Sequence, residues 1–175
     1  MLKVTNFLAL SVITLLFSVS TNAQIIKLPK VLAFGNFTYA NPQGDFSKSV
    51  NGGTGFEVGG GIGLGKNLLY ASTGYINYPF SSTSYKYKVV PFKVGIRHYL
   101  LLGLFVNGAV GVASQNSDAS GASSGSSFLY EVGAGFKFLG VVEIGAAYTG
   151  YQVANSSPSI NANSILLKAG LAFKL

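Results

Sequence analysis

Three groups of residues in this chain have types that could do chemistry: a lone histidine, a set of glutamates spaced among basic residues, and a glycine-rich run. His98 is the only histidine. A Ser-His-acid arrangement needs the imidazole within hydrogen-bond reach of a nucleophile and a carboxylate. The serines, Asp45 and Asp118 lie in polar stretches that alternate along the chain with short turns, and His98 adjoins one of the short turns. If the intervening segments are strands, His98 and those stretches sit at opposite ends of the molecule. No catalytic residue is therefore assigned. With one His and no Cys there is no metal-ligand set either. The run Gly59–Gly65 (GGGIGLG) has the G-x-G-x-G spacing of a phosphate loop. It lacks the following helix and the Lys-Ser/Thr pair that make such a loop work, so no nucleotide or other cofactor is expected. Strand glycines in a curved, crowded sheet explain the run better.

The glutamates are more informative. Glu57, Glu131 and Glu143, like Lys93, Arg97, Lys137, Lys168 and Lys174, each fall in the row that alternates with the apolar row of their segment. If every segment is a strand, all of these charges share one side of one sheet. A closed barrel of eight strands is only wide enough to be filled by side chains. An isolated charge there costs several kcal/mol, so the charges must pair. The expectation is an interior ionic network of Glu57, Lys93, Arg97, Glu131, Lys137, Glu143 and Lys168 with a structural, plugging role. An ion path or proton site is the rival use of the same residues.

The elements that must hold these residues are strands. The clearest is Ser164–Leu175 (SILLKAGLAFKL), where Ile165, Leu167, Ala169, Leu171, Phe173 and Leu175 form an apolar row against Leu166, Lys168, Gly170, Ala172 and Lys174. Seven more β-rich segments precede it, at about 30–40, 54–65, 68–78, 85–99, 104–113, 128–138 and 141–151; the inward phase of the third cannot be assigned. Connections alternate between long polar loops (41–53, 79–84, 114–127, 152–163) and tight turns (65–67, 101–103, 139–140). The Ser/Gly-rich loop 114–127 reads as exposed or mobile. Tyr39, Tyr78, Tyr85, Tyr130, Tyr148 and Tyr151 near one set of strand ends, with Tyr70 and Tyr99 near the other, suggest interfacial girdles.

Composition agrees with this reading. Hydrophobic residues make up 49% and charged residues 10%, against roughly 25% charged in a soluble domain. Beyond the N-terminus no apolar run approaches the ~20 residues of a membrane helix, so the apolar content must be spread by alternation, as in a transmembrane β-barrel. Residues 1–23 read as a cleavable signal peptide: Lys3, the apolar run Phe7–Phe17, then Thr21-Asn22-Ala23 before Gln24. That leaves 24–175 as a single barrel domain. The formal charge of +7 is dispersed, which argues against nucleic acid and suits contact with lipid headgroups. The predicted fold is all-β: an eight-stranded antiparallel up-and-down transmembrane barrel, with both termini on the periplasmic side of an outer membrane.

Asn41-Pro42-Gln43-Gly44-Asp45-Phe46-Ser47, the glycine-rich strand 54–65, and Val90-Pro91-Phe92-Lys93-Val94-Gly95-Ile96-Arg97-His98-Tyr99-Leu100 together resemble the small outer-membrane β-barrel proteins often labelled "porin family". The resemblance spans essentially the whole of 24–175. It implies an eight-stranded barrel of the Gram-negative cell envelope, inserted by the outer-membrane barrel assembly machinery and surrounded by outer-membrane lipids. It implies neither a reaction nor a pore. It also implies an assembly signal in the last strand, with Leu171, Phe173 and Leu175 in its apolar row. The function expected is non-enzymatic: envelope structure, or interaction of the outer loops with a surface ligand. A narrow passive channel for small ions or solutes is the alternative, and a lipid-modifying enzyme a more distant one.

Overall fold

In a computed structural model, residues 29–82, 84–118, 124–154 and 160–174 are described. The expected leader 1–23, its cut before Gln24, and Leu175 lie outside them. The strands are β1 (Lys30–Gln43), β2 (Gly53–Leu64), β3 (Asn67–Pro79), β4 (Lys86–Tyr99), β5 (Leu104–Ser117), β6 (Gly125–Phe138), β7 (Val142–Gln152) and β8 (Asn161–Lys174). Each pairs antiparallel with its sequence neighbour, and β8 pairs with β1 to close an eight-stranded up-and-down barrel. Closure satisfies every strand edge, as a sheet without water on its outer surface requires. A strand of 14 residues, such as β8, spans about 45 Å along its own axis. Tilted by ~45°, it still crosses a hydrocarbon layer of ~30 Å.

Period-two alternation decides which face meets which solvent. Phe37, Ile62, Phe92, Val132 and Phe173 stand on the outside, each more than half exposed. The alternate rows, including Leu32, Asn36, Glu57, Lys93, Glu131 and Glu143, are buried along the axis. Buried charges inside and a continuous apolar surface outside are the reverse of a soluble barrel, although aromatic and aliphatic side chains share the interior with those charges, and the apolar outer surface forms a lipid-facing belt. In β3 the inward row is Leu68, Tyr70, Ser72, Ile76 and Tyr78. Both rows of β3 carry large apolar residues, which is why alternation alone cannot choose between them.

Three expectations are corrected. Tyr70, Tyr78, Tyr99 and Tyr151 are not girdle residues: all four are buried inside the barrel, as is Tyr87. Tyr39, Tyr85, Tyr130 and Tyr148 remain exposed, near the loop end of the barrel. The connection 41–53 is not all polar loop: β1 runs on to Gln43, and a single helical turn, α1 (Phe46–Ser49), buries Phe46. The stretch 114–127 is exposed at Ser114, Asn116 and Ser126 as expected, but it is partly sheet rather than all loop, with Ser114 paired to Ser126 and Gln115 to Gly125. Gln115 holds it there from the inside: its Nε2 donates to Ser127 Oγ (2.7 Å) and to the Gln152 carbonyl (2.8 Å), and its Oε1 accepts from the Ala154 N–H (2.7 Å).

Two local features bear on backbone energetics. The β3–β4 pairing runs to Thr73↔Phe92 and resumes at Ile76↔Val89, lapsing beside Pro91, which has no N–H to give the ladder. At the turn end, Leu102 (φ 58°) and Leu139 (φ 50°) adopt left-handed backbone, a conformation costly for a residue with a Cβ.

Candidate functional site

The interior brings charged and aromatic side chains together, and it is filled in three layers. The middle layer is a square built from alternate strands. Lys93 Nζ on β4 lies 2.8 Å from Glu57 Oε1 on β2 and 2.6 Å from Glu131 Oε2 on β6. Lys168 Nζ on β8 lies 2.7 Å from Glu57 Oε2 and 2.7 Å from Glu131 Oε1. Each carboxylate thus spends one oxygen on each lysine, and the square is neutral. Strands two apart carry the corners, so opposite charges alternate around the axis. Charged hydrogen bonds of this length satisfy groups whose isolation in the lumen would cost several kcal/mol.

Toward the turn end lies a second ionic unit. Arg97 Nη1 donates to both oxygens of Glu143, at 3.0 and 2.9 Å, and Tyr99 Oη donates to Glu143 Oε1 at 3.2 Å. The guanidinium sits 4.3 Å from the ring centre of Phe105, 5.0 Å from Phe34 and 5.7 Å from Tyr70. These aromatic faces take up part of the charge of a guanidinium withdrawn from bulk water. Glycine makes the room: a Cβ on Gly59 would lie 2.4 Å from Phe34 Cζ, and one on Gly135 2.4 Å from Phe105 Cζ.

The loop end is closed by an aromatic box. The ring of Phe46 on α1 lies 5.2 Å from Tyr78, 5.8 Å from Tyr87 and 6.3 Å from Tyr151, each near edge-to-face, the favoured geometry for such rings. Tyr87 Oη donates to Gln115 Oε1, and Tyr78 Oη shares a hydrogen bond of 3.1 Å with Ser164 Oγ. Outside the barrel, Lys48 Nζ meets Asp45 Oδ1 at 2.8 Å. The lysine's hydrogen bond and charge hold the Asp45 carboxyl below its ordinary value.

The structure therefore brings Glu57, Lys93, Glu131 and Lys168 together, and Arg97 with Glu143, as two separate units rather than one network. It does not bring Lys137 into either. Lys137 faces Glu143 directly across the β6–β7 ladder, but both oxygens of Glu143 are turned to Arg97. Lys137 instead lines the turn-end opening, as does Lys174, whose Nζ stands 4.2 Å over the Tyr99 ring. Leu171 and Phe173 project outward, while Leu175 is outside the described residues. His98 is half-buried at the turn end, where its Nδ1 meets Asn67 Oδ1; no serine or carboxylate accompanies it among its described hydrogen bonds. Among the described residues no group of three His, Cys, Asp or Glu could hold a metal.

The sequence reading missed Phe46 and the tyrosine box. A signal existed: Phe46 and Val50 are the only large apolar residues in the polar loop 41–53, and both are buried. Between these interior layers the remaining free space is small. One cavity of about 20 Å³ touches Glu57, Arg97, Glu131 and Glu143, and another of about 20 Å³ touches Thr38, Lys93 and Tyr151. Each has room for about one water. The arrangement neutralises its own buried charges and fills the lumen around them.

No family model matches the chain, and no curated relative does. Among solved structures it is similar to the crystal structure of Ail, the attachment invasion locus protein of Yersinia pestis: TM-score 0.62, 15% identity, 85% of this chain and 100% of that one. It is also similar to the outer-membrane protein OprG of Pseudomonas aeruginosa, with TM-score 0.52 and 12% identity over 85% of this chain and 97% of that one. Ail in a phospholipid bilayer nanodisc gives TM-score 0.51 and 16% identity over 81% and 99%. At these identities the likeness is one of fold: the chain has the eight-stranded barrel architecture of small outer-membrane proteins.

Proposed function

We propose that this protein is a non-enzymatic integral outer-membrane protein whose sealed barrel carries its loops at the cell surface, for envelope structure or surface interaction. The observation that carries this reading is the filled lumen. The Glu57–Lys93–Glu131–Lys168 square, the Arg97–Glu143 pair and the Phe46 box lie in series along the axis, with only water-sized cavities beside them. A barrel built to conduct leaves a continuous wet path. Ail, similar in fold, is an attachment invasion locus protein, which supports the surface-interaction side of the proposal. In this reading the loop end faces outward and both termini face the periplasm. Outer-membrane lipids contact the apolar belt, and the assembly machinery engages the row of Leu171, Phe173 and Leu175. The porin-family resemblance then concerns architecture rather than conduction.

Two measurements test it together. The protein should fractionate with outer membranes and migrate differently on gels before and after heating. In planar bilayers the folded protein should give no conductance above background. Reproducible single-channel steps would replace this reading with the narrow passive channel. Recovery of folded protein from the soluble fraction without detergent would remove the membrane assignment altogether.

A further inference from the structure

The turn end of the barrel has a charge distribution that the sealing of the lumen does not require. The β2–β3, β4–β5 and β6–β7 turns ring a cup of about 430 Å³ lined by Lys30, Lys66, Lys137 and Lys174 around Tyr99. No carboxylate side chain lines it. None is free to reach it: Glu57 and Glu131 are held in the square, Glu143 by Arg97, and Asp45 by Lys48. Asp118, the remaining acidic residue of the sequence, follows β5 at the opposite end. Of the lysines, Lys30 Nζ donates to the Gly65 carbonyl at 3.3 Å and Lys174 rests on the Tyr99 ring. Among the described residues, none of the four makes a salt bridge.

We propose that this cup is a binding site for a multivalent phosphate group. Its volume is within the ~300–1,000 Å³ of small-ligand sites. Ammonium groups arriving from different walls suit tetrahedral phosphoryl oxygens, which point in several directions. A carboxylate offers two oxygens in one plane and is better matched by a planar arginine fork. The ligand is either a soluble oligophosphate or the headgroup of a phospholipid carrying two phosphates. The second source draws on the rim, where Leu101, Leu102 and Leu139 are 71%, 90% and 84% exposed, a surface suited to acyl chains. That the ligand arrives from the periplasm rests on the orientation proposed above; the binding itself does not.

The test uses the full folded chain in zwitterionic detergent, titrated calorimetrically with inorganic tripolyphosphate. Binding should be saturable at low ionic strength and weaken as salt is added. The double variant K66Q/K137Q should bind about tenfold more weakly or worse, as loss of two close charges requires. Lys66 lies in an exposed turn, so K66Q alone, checked for heat-dependent gel migration, serves if the double variant folds poorly. K86Q/K88Q at the opposite end should bind as the parent does. Nanodiscs of zwitterionic lipid are then compared with nanodiscs containing a two-phosphate phospholipid. Weaker tripolyphosphate binding only in the latter supports the lipid headgroup as ligand, and equal binding in both supports a soluble one. Absence of saturable binding at low salt, or an equal loss in K86Q/K88Q, overturns the proposal. Neither result depends on where the protein resides in the cell.

Discussion

Replacing Lys93 by Met tests whether the square works as a unit. Lys93 is 2% exposed and closes contacts of 2.8 and 2.6 Å to two carboxylates. Without it, Glu57 and Glu131 share Lys168 alone, leaving a buried, uncompensated negative charge. Breaking a buried ion pair from one side costs about 3–5 kcal/mol. Glu131→Gln creates the mirror defect, a surplus positive charge, at a similar cost. The double variant Lys93→Met/Glu131→Gln leaves Glu57 and Lys168 paired at 2.7 Å in a neutral lumen. Its loss should fall short of the sum of the singles by at least about 2 kcal/mol. The assay is equilibrium urea unfolding in detergent micelles or short-chain vesicles. With no Trp and ten Tyr in the sequence, tyrosine emission and far-ultraviolet circular dichroism are the probes. At ~2 kcal/mol per molar urea, each single variant should lower the midpoint by about 2 M. Single variants costing under ~1 kcal/mol, or a double variant equal to the sum, would show that the four groups do not neutralise one another.

Three further outcomes are expected. Phe46→Ala should cost about 3 kcal/mol of packing and raise hydrogen exchange in the α1 loop while the β4–β5 ladder stays protected; unchanged exchange in the loop would mean that something other than the aromatic box holds it. Leu102→Gly should stabilise the barrel by about 0.5–1 kcal/mol, because glycine accepts the left-handed backbone that leucine resists; a lower unfolding midpoint would show that the exposed leucine has a partner worth more than its strain. The Asp45 carboxyl, followed by nuclear magnetic resonance, should titrate below its ordinary 3.8 and move back up in Lys48→Ala. Because the folded value is the lower one, the pair's contribution is present above pH 3.8 and fades as pH falls through the folded value. Both side chains are solvent-exposed, so the barrel's own unfolding midpoint should not follow that titration.

The sequence by itself determined the strands, their number and, in most of them, the face each residue takes. Those properties are local: a two-residue period in β2, β4, β6 and β8 needs no knowledge of partners, and polar loops and short turns mark where each strand stops. Which inward charges meet was decided by register and tilt around a closed ring. Lys137 and Glu143 are direct cross-strand neighbours, yet Glu143 turns to Arg97 three strands away, because a filled lumen lets a long side chain cross the axis. The same property hid the tyrosine box. A tyrosine near a strand end satisfies lipid headgroups and an aromatic lumen equally well, and only curvature of the wall places Tyr78, Tyr87 and Tyr151 around Phe46. Alternation is written along the chain, whereas proximity across a barrel is a property of the closed sheet.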